Sequence, residues 1–253
     1  FVFRNIEKIA AKYTNVLITI NNEDYIAAKK FKLKKSGTVE YVPGVGIDID
    51  KINLIKENKI QLCEELNIPK DAILILSVGE LNANKNHKIV IEILPELPNN
   101  VHYLMCGDGQ LKEQHERLAK KLHVSDRLHF LGYRKDVIKI MKSCDIFVFP
   151  SKREGLSVAL MEAMACGLPC VVSKIRGNED LIENEKGGYC VDLENESFNI
   201  YINKILELDL SRSMAAFNYN KVSNYSIKKV NLKNILWKPL KMILKFHLLR
   251  KMK

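Results

Sequence analysis

Between residues 72 and 191 the chain alternates short, continuous apolar runs with segments of helical spacing, and no other feature restricts its fold as tightly. The runs are AILILSV at 72–78, VHYLMC at 101–106, residues 128–131, IFVFP at 146–150, PCVVS at 169–173 and residues 188–191. A strand that is apolar throughout needs cover on both faces, and parallel strands need long crossovers, which the intervening helices supply. The expected fold class is α/β, a Rossmann-like parallel sheet with helices on both faces, occupying 71–200.

What flanks this centre is thinner. YTNVLITI, residues 13–20, reads as a buried strand; a helix follows that Asn21 or Asn22 can cap, with Glu23 and Asp24 at its positive end. VEYVPGVGIDI, residues 39–49, reads as a strand running into a glycine-rich turn. Residues 1–50 thus hold one and a half βα units, too few to close a domain, and are expected to be the remnant of a larger N-terminal one. The lack of an initiator Met points the same way. A helix over 52–66 fills a linker at 51–70, and 201–253 reads as helices ending in a basic tail.

The net charge of +10 is uneven: 11 of the 40 basic residues lie between Ser211 and Lys253, where there is no acid, leaving 29 basic against 30 acidic residues before them. An extended basic face for nucleic acid is therefore not expected. In the tail, Asn234, Lys238, Lys241 and Lys245 are spaced as one face of a helix, with Trp237, Leu240, Ile243 and Leu244 around the rest. Such a helix suits peripheral contact with an anionic membrane or packing of its apolar side against the missing part of the N-terminal domain, and Pro239 weakens both versions. No run of about 18 apolar residues and no cleavable leader is visible, so a cytoplasmic protein is expected. The six cysteines form no CxxC pair, and free thiols are expected rather than zinc or disulfides.

In a doubly wound sheet, ligands bind outside the carboxyl ends of the strands. In SVGELNANKNHK, a strand empties into Gly79 and a helix is expected from Asn84, with Lys85 in its first turn; the lysine serves either an anion or plain solvation. MCGDGQL sets Gly107 and Gly109 at a turn that either admits a ligand or merely turns, since the full GxGxxG pattern is absent. In FLGYRKDV, Gly132 follows a strand and Asp136 is placed to cap the next helix. PSKREGLSVALMEAMACGLP puts Glu154 and Gly155 in a loop before a helix over 157–166, with Ser157 as its cap. Glu162 then lies more than a turn into an apolar helix, which costs several kcal/mol (roughly) unless donors reach it. A lysine, backbone groups or a ribose diol would each serve.

Taken together, Glu154-x7-Glu162 with Gly155 and EAMACGLPCVVS, preceded by VGELNANKNH, CGDGQL, FLGYRKDV and CDIFVFPS, resemble the retaining glycosyltransferases of family 4, which have the GT-B fold. The resemblance covers about 170 residues. It implies that 71–200 is the C-terminal, nucleotide-sugar-binding domain and that 1–50 is the remnant of the N-terminal, acceptor-side domain. By resemblance, Glu154 contacts donor-sugar hydroxyls and Glu162 the ribose, while the N–H groups of Gly155, Leu156 and Ser157 face the sugar and diphosphate. Lys85 neutralises the phosphates, and Gly132, Tyr133 and Arg134 pack on the base. Gly79, Glu80, Gly107 and Gly109 complete the donor-binding set, with Glu154 and Lys85 as the catalytic pair.

Two departures stand out. Glu80 occupies a position where many members have arginine, and its charge would repel phosphates, so it either points away or meets sugar or acceptor. None of the six histidines matches the one that commonly assists the reaction. The implied function is a retaining, hexosyl-type transferase using a UDP-type donor on a saccharide or lipid-linked acceptor in bacterial surface polysaccharide synthesis, such as a capsule. No cofactor and no metal are expected, because no DxD-type pair stands in a suitable loop. The alternative is a truncated, non-catalytic nucleotide-sugar-binding module; an epimerase or phosphorylase on the same fold is a third reading.

Overall fold

A computed structural model of the chain describes residues 2–42, 44, 46–208 and 211–230. The chain divides into two units, Phe1–Ile47 with Tyr225–Lys253, and Asp48–Asn224.

The first unit opens with helix α1 (Val2–Ala11), strand β1 (Val16–Thr19), helix α2 (Asn22–Ala28) and strand β2 (Thr38–Tyr41). Asn21 is the cap of α2, its Oδ1 accepting from the Asp24 N–H at 2.8 Å. β1 and β2 pair in parallel from Val16 opposite Thr38 to Thr19 opposite Tyr41. β1 is shorter than the expected 13–20, whereas β2 is the short strand expected ahead of the glycine-rich turn. Tyr13 and Thr14 close the end of α1 by donating to the carbonyls of Ala10 and Ala11, so β1 starts only at Val16. The β2 ladder ends with Val42 N–H donating to Thr19, just ahead of Pro43, which has no N–H to extend it.

The second unit starts with α3 (Ile49–Leu54) and α4 (Lys59–Leu66), two helices where one over 52–66 was expected. The Asn58 side chain accepts from the Gln61 N–H at 2.9 Å and starts a new helix there. Then come β3 (Ile73–Val78), α5 (Lys88–Ile93), β4 (Val101–Cys106), α6 (Lys112–Lys121), β5 (Leu128–Gly132), α7 (Val137–Lys142), β6 (Ile146–Phe149), α8 (Val158–Ala165), β7 (Cys170–Ser173), α9 (Asn178–Leu181), β8 (Gly188–Val191), α10 (Asn195–Leu208) and α11 (Ser211–Val222). A last helix, α12 (Ile227–Val230), belongs to the first unit, where Ile227 N–H donates to the Ile47 carbonyl and Ile47 N–H to the Tyr225 carbonyl. The helices over 49–66 and 195–222 fall within the sheet unit. The membrane-binding reading of the tail concerns residues 231–253, outside the described residues.

All six strands expected between 72 and 191 are present and form one parallel sheet in the order β5-β4-β3-β6-β7-β8. Every residue of β4, β6 and β7 is buried, as continuous apolar runs require. α10 packs on α5 and α11 on α8, covering the sheet with helices. Chain order reverses between β3 and β6, and this reversal opens a crevice at their carboxyl ends. The six cysteines are free, and burial pushes the thiols of Cys106, Cys166 and Cys190 up to about 12, which leaves them unreactive. Among the described residues no helix is long and apolar enough to cross a membrane.

Candidate functional site

At the reversal point, two loops are tied together by one asparagine-rich turn. Asn82 Oδ1 accepts from the N–H groups of both Asn84 and Lys85, at 3.0 Å each, and Asn86 adopts a left-handed conformation. This turn holds the chain out of helical geometry, so α5 begins at Lys88 and not at Asn84. Lys85 therefore stands in the loop. Its stem lies across Gly79, where a Cβ would come within 3.0 Å of Lys85 Cε. Its ammonium sits 4.5 Å from the centre of the Phe149 ring and 2.7 Å from Glu154 Oε1. The two side chains are only 19% and 13% exposed, so the pair is partly desolvated and stronger than a surface pair. Asn84 adds a backbone bond from Lys152 N–H at 2.8 Å and a side-chain bond to the Arg153 carbonyl at 3.0 Å.

The Glu154 loop rests on the loop after β7. Gly177 has φ of 84°, and a Cβ there would lie 1.7 Å from the Gly155 carbonyl oxygen, so only glycine permits this approach. Ser173 Oγ donates to the Ser151 carbonyl, and buried Asn178 donates to the Ser173 carbonyl at 3.0 Å. Beyond the loop, Leu156 is buried and Ser157 caps α8, accepting from the Leu160 N–H at 3.3 Å. The remaining free N–H groups and the positive end of the dipole suit that helix end to an anion. Further along α8, Glu162 is half-buried and its carboxylate has no hydrogen bond or ion pair among the described residues. Burial holds its carboxyl above the usual carboxylate range.

A cleft of about 380 Å³ opens beside β3, β4 and the end of β5, lined by Gly79, Glu80, Gly107, Asp108, Tyr133 and Arg134 among others. Gly107 is obligatory here, since a Cβ would meet the Gly79 carbonyl oxygen at 1.9 Å. Gly109 backs onto Leu81, and Gly132 turns the chain with φ of 63°. Tyr133 is 85% exposed, a ring face open to stacking. Arg134 binds Asp136 through two bonds of 2.8 Å and also reaches Glu65. The Asp136 carboxylate is thereby held below its usual range by the guanidinium, and it makes no side-chain cap to α7, contrary to the sequence expectation. Glu80 is steadied by Asn82 Nδ2 at 2.9 Å. Lys85, Glu154 and Glu162 do not line this cleft. No group of three or more potential metal ligands occurs among the described residues.

The structure thus gathers Gly79, Glu80, Gly107, Tyr133 and Arg134 around one cleft and joins Lys85 to Glu154 across the reversal point. Sequence reasoning missed Asn82, Asn84, Gly177 and Asn178. The NANKN string was a signal for an asparagine-built turn, and the glycine of IRGNED a signal for a special backbone; their contacts lie across the fold.

The family model for glycosyl transferases group 1 matches residues 58–222. The chain is 31% identical over 232 residues to the Escherichia coli UDP-Gal:alpha-D-GlcNAc-diphosphoundecaprenol alpha-1,3-galactosyltransferase, covering 88% of this chain and 59% of that protein. It is 28% identical over 198 residues to the Campylobacter jejuni N,N'-diacetylbacillosaminyl-diphospho-undecaprenol alpha-1,3-N-acetylgalactosaminyltransferase, covering 77% and 52%. The crystal structure of Anabaena HepE in complex with UDP and glucose superposes with a TM-score of 0.82 at 21% identity, over 95% of this chain and 67% of that one. The chain spans between half and three fifths of the length of these curated relatives.

Proposed function

The chain belongs to the group 1 glycosyltransferases, with the α/β architecture of GT-B enzymes, and from that premise we propose that it is the donor-binding part of a retaining, hexosyl-type transferase. The donor is a UDP-sugar and the acceptor a saccharide carried on a lipid diphosphate. The names of the E. coli and C. jejuni relatives support that acceptor, and bacterial surface polysaccharide assembly at the inner face of the membrane is the matching setting.

One observation carries the reading: Glu162, a half-buried carboxylate with no partner among the described residues, stands one turn beyond the capped end of α8. A vicinal diol supplies two donors to such a group, which suits it to the ribose. The turn at Gly132, Tyr133 and Arg134 then packs on the base. The N–H groups of Gly155, Leu156 and Ser157 meet the sugar and diphosphate, with Gly79, Gly107 and Gly109 letting backbone come close.

Lys85 has the double task of holding Glu154 and balancing the phosphates. When the glycosidic bond breaks, the anomeric carbon gains oxocarbenium character and negative charge grows on the leaving diphosphate. Lys85 and the α8 dipole, already oriented, stabilise that charge, so no metal and no cofactor are required. Glu154 orients the sugar hydroxyls, and Glu80 is kept for sugar or acceptor hydroxyls, away from the phosphates.

Calorimetric titration with UDP and a panel of UDP-sugars, with and without EDTA, tests this reading. Saturable binding that EDTA leaves intact is expected, with an α-linked product by NMR when a lipid-diphosphate acceptor is added. Failure of any nucleotide to bind overturns the donor site; binding without turnover favours a non-catalytic nucleotide-sugar module.

A further inference from the structure

Three exposed cations stand on the two loops that carry the Glu154 turn and take no part in the donor site: Lys152 and Arg153 just before Glu154, and Arg176 just before Gly177. They are neighbours in space because the loops touch. The Gly177 α-carbon lies against the Gly155 carbonyl, and Ser173 Oγ donates to the Ser151 carbonyl. The backbone of the first pair is fixed as well, since Lys152 N–H donates to Asn84 and the Arg153 carbonyl accepts from Asn84 Nδ2.

The charge bookkeeping separates Lys152 and Arg153 from the donor-site cations. Lys85 is neutralised by Glu154, and Arg134 by Asp136 and Glu65. The side chains of Lys152 and Arg153 have no acidic partner among the described residues, and the nearest acids along the chain are Glu154, already paired, and Glu179 and Asp180 at the start of α9. Exposed cations on a loop held by backbone bonds, beside the Glu154 turn, are suited to a second anion.

We propose that Lys152 and Arg153, with Arg176 beside them, form an anion subsite that takes the diphosphate of the acceptor. This rests on the donor-site reading above. An acceptor hydroxyl attacking at the Glu154 loop belongs to a sugar whose lipid diphosphate is only one or a few residues away. Long basic side chains reach that distance and tolerate acceptors of different sugar lengths. The subsite recognises the phosphoanhydride and not the lipid tail.

The test uses the full chain with farnesyl diphosphate, inorganic pyrophosphate and UDP as probes, by titration calorimetry at low and moderate salt. Farnesyl diphosphate should bind in the presence of saturating UDP, compete with pyrophosphate, and weaken as salt rises. The K152E/R153E variant should lose about tenfold or more of that affinity, equivalent to about 1.4 kcal/mol, while its UDP affinity stays within about twofold. R176E, measured separately, should shift the same quantity in the same direction. A parallel fall in UDP affinity would assign the cations to the donor and overturn the proposal. So would displacement of farnesyl diphosphate by UDP, or unchanged binding in the variant. Loss of UDP binding in the native chain would instead overturn the donor reading, so the two failures are distinct.

Discussion

Replacing Glu162 by glutamine should make the protein more stable and a poorer binder of nucleotides. The side chain keeps its volume, so α8 packing against its neighbours is undisturbed. What changes is a carboxylate with no partner among the described residues, half-buried in a helix whose other faces are apolar. Relief of its desolvation should be worth about 1 kcal/mol at neutral pH, or about 2–4 °C in Tm for a domain the size of Asp48–Asn224. The gain should depend on pH with a definite sign. Because burial raises the folded-state pKa above its ordinary value of 4.5, the carboxyl is neutral and harmless in acid. Its penalty appears as pH rises through the raised folded value. Glutamine should therefore stabilise at pH 7 and give nothing near pH 4. In binding, two charge-assisted hydrogen bonds to a diol become neutral ones, costing about 1–3 kcal/mol, or roughly 10- to 100-fold in UDP affinity. Thermal melts at both pH values and UDP titrations measure the two halves independently. A lower Tm at pH 7 would mean that protein groups satisfy the carboxylate. Unchanged UDP affinity would mean that the diol lies elsewhere.

Substituting Lys85 by methionine should destabilise by about 1–3 kcal/mol in urea denaturation, since it leaves Glu154 partly buried without its counter-charge; K85M/E154M should recover most of that loss but not UDP-sugar binding. G177A should lower stability by about 1–3 kcal/mol and weaken sugar-nucleotide binding, because both its φ and the Gly155 carbonyl oppose a Cβ; an unchanged melt and titration would show the contact to be soft. His87 is buried with its pKa lowered to about 4, chiefly by desolvation, so the stability it allows is intact above its ordinary value of 6.5 and is lost as pH falls toward 4. H87Q should flatten that part of the acid-denaturation profile, leaving the similar contribution of His129; an unaltered slope would place the acid sensitivity elsewhere.

How much of this was readable before any coordinates follows from what each residue interacts with. Strands buried on both faces must be apolar without interruption, so the amino-acid order alone located all six central strands and their class of sheet. Ser157 was legible as a cap, and Asn21 was one of two candidates, because a cap bonds to an N–H two or three residues on. Local competition was harder. The Asn58 start that divides α3 from α4, and the Asn82 turn that delays α5 to Lys88, each pit a side-chain bond against helix propagation at nearly equal free energy.

Partners distant in sequence could not be read at all. Lys85 meets Glu154 across 69 positions, and Arg134 meets Glu65 across another 69. Gly177 is needed only because the Gly155 carbonyl arrives beside it. Strand order decides these encounters, and a strand's own residues do not encode its neighbour. Composition and pattern therefore determined the layers, while the folded chain alone decided which charged side chains at the strand ends meet each other.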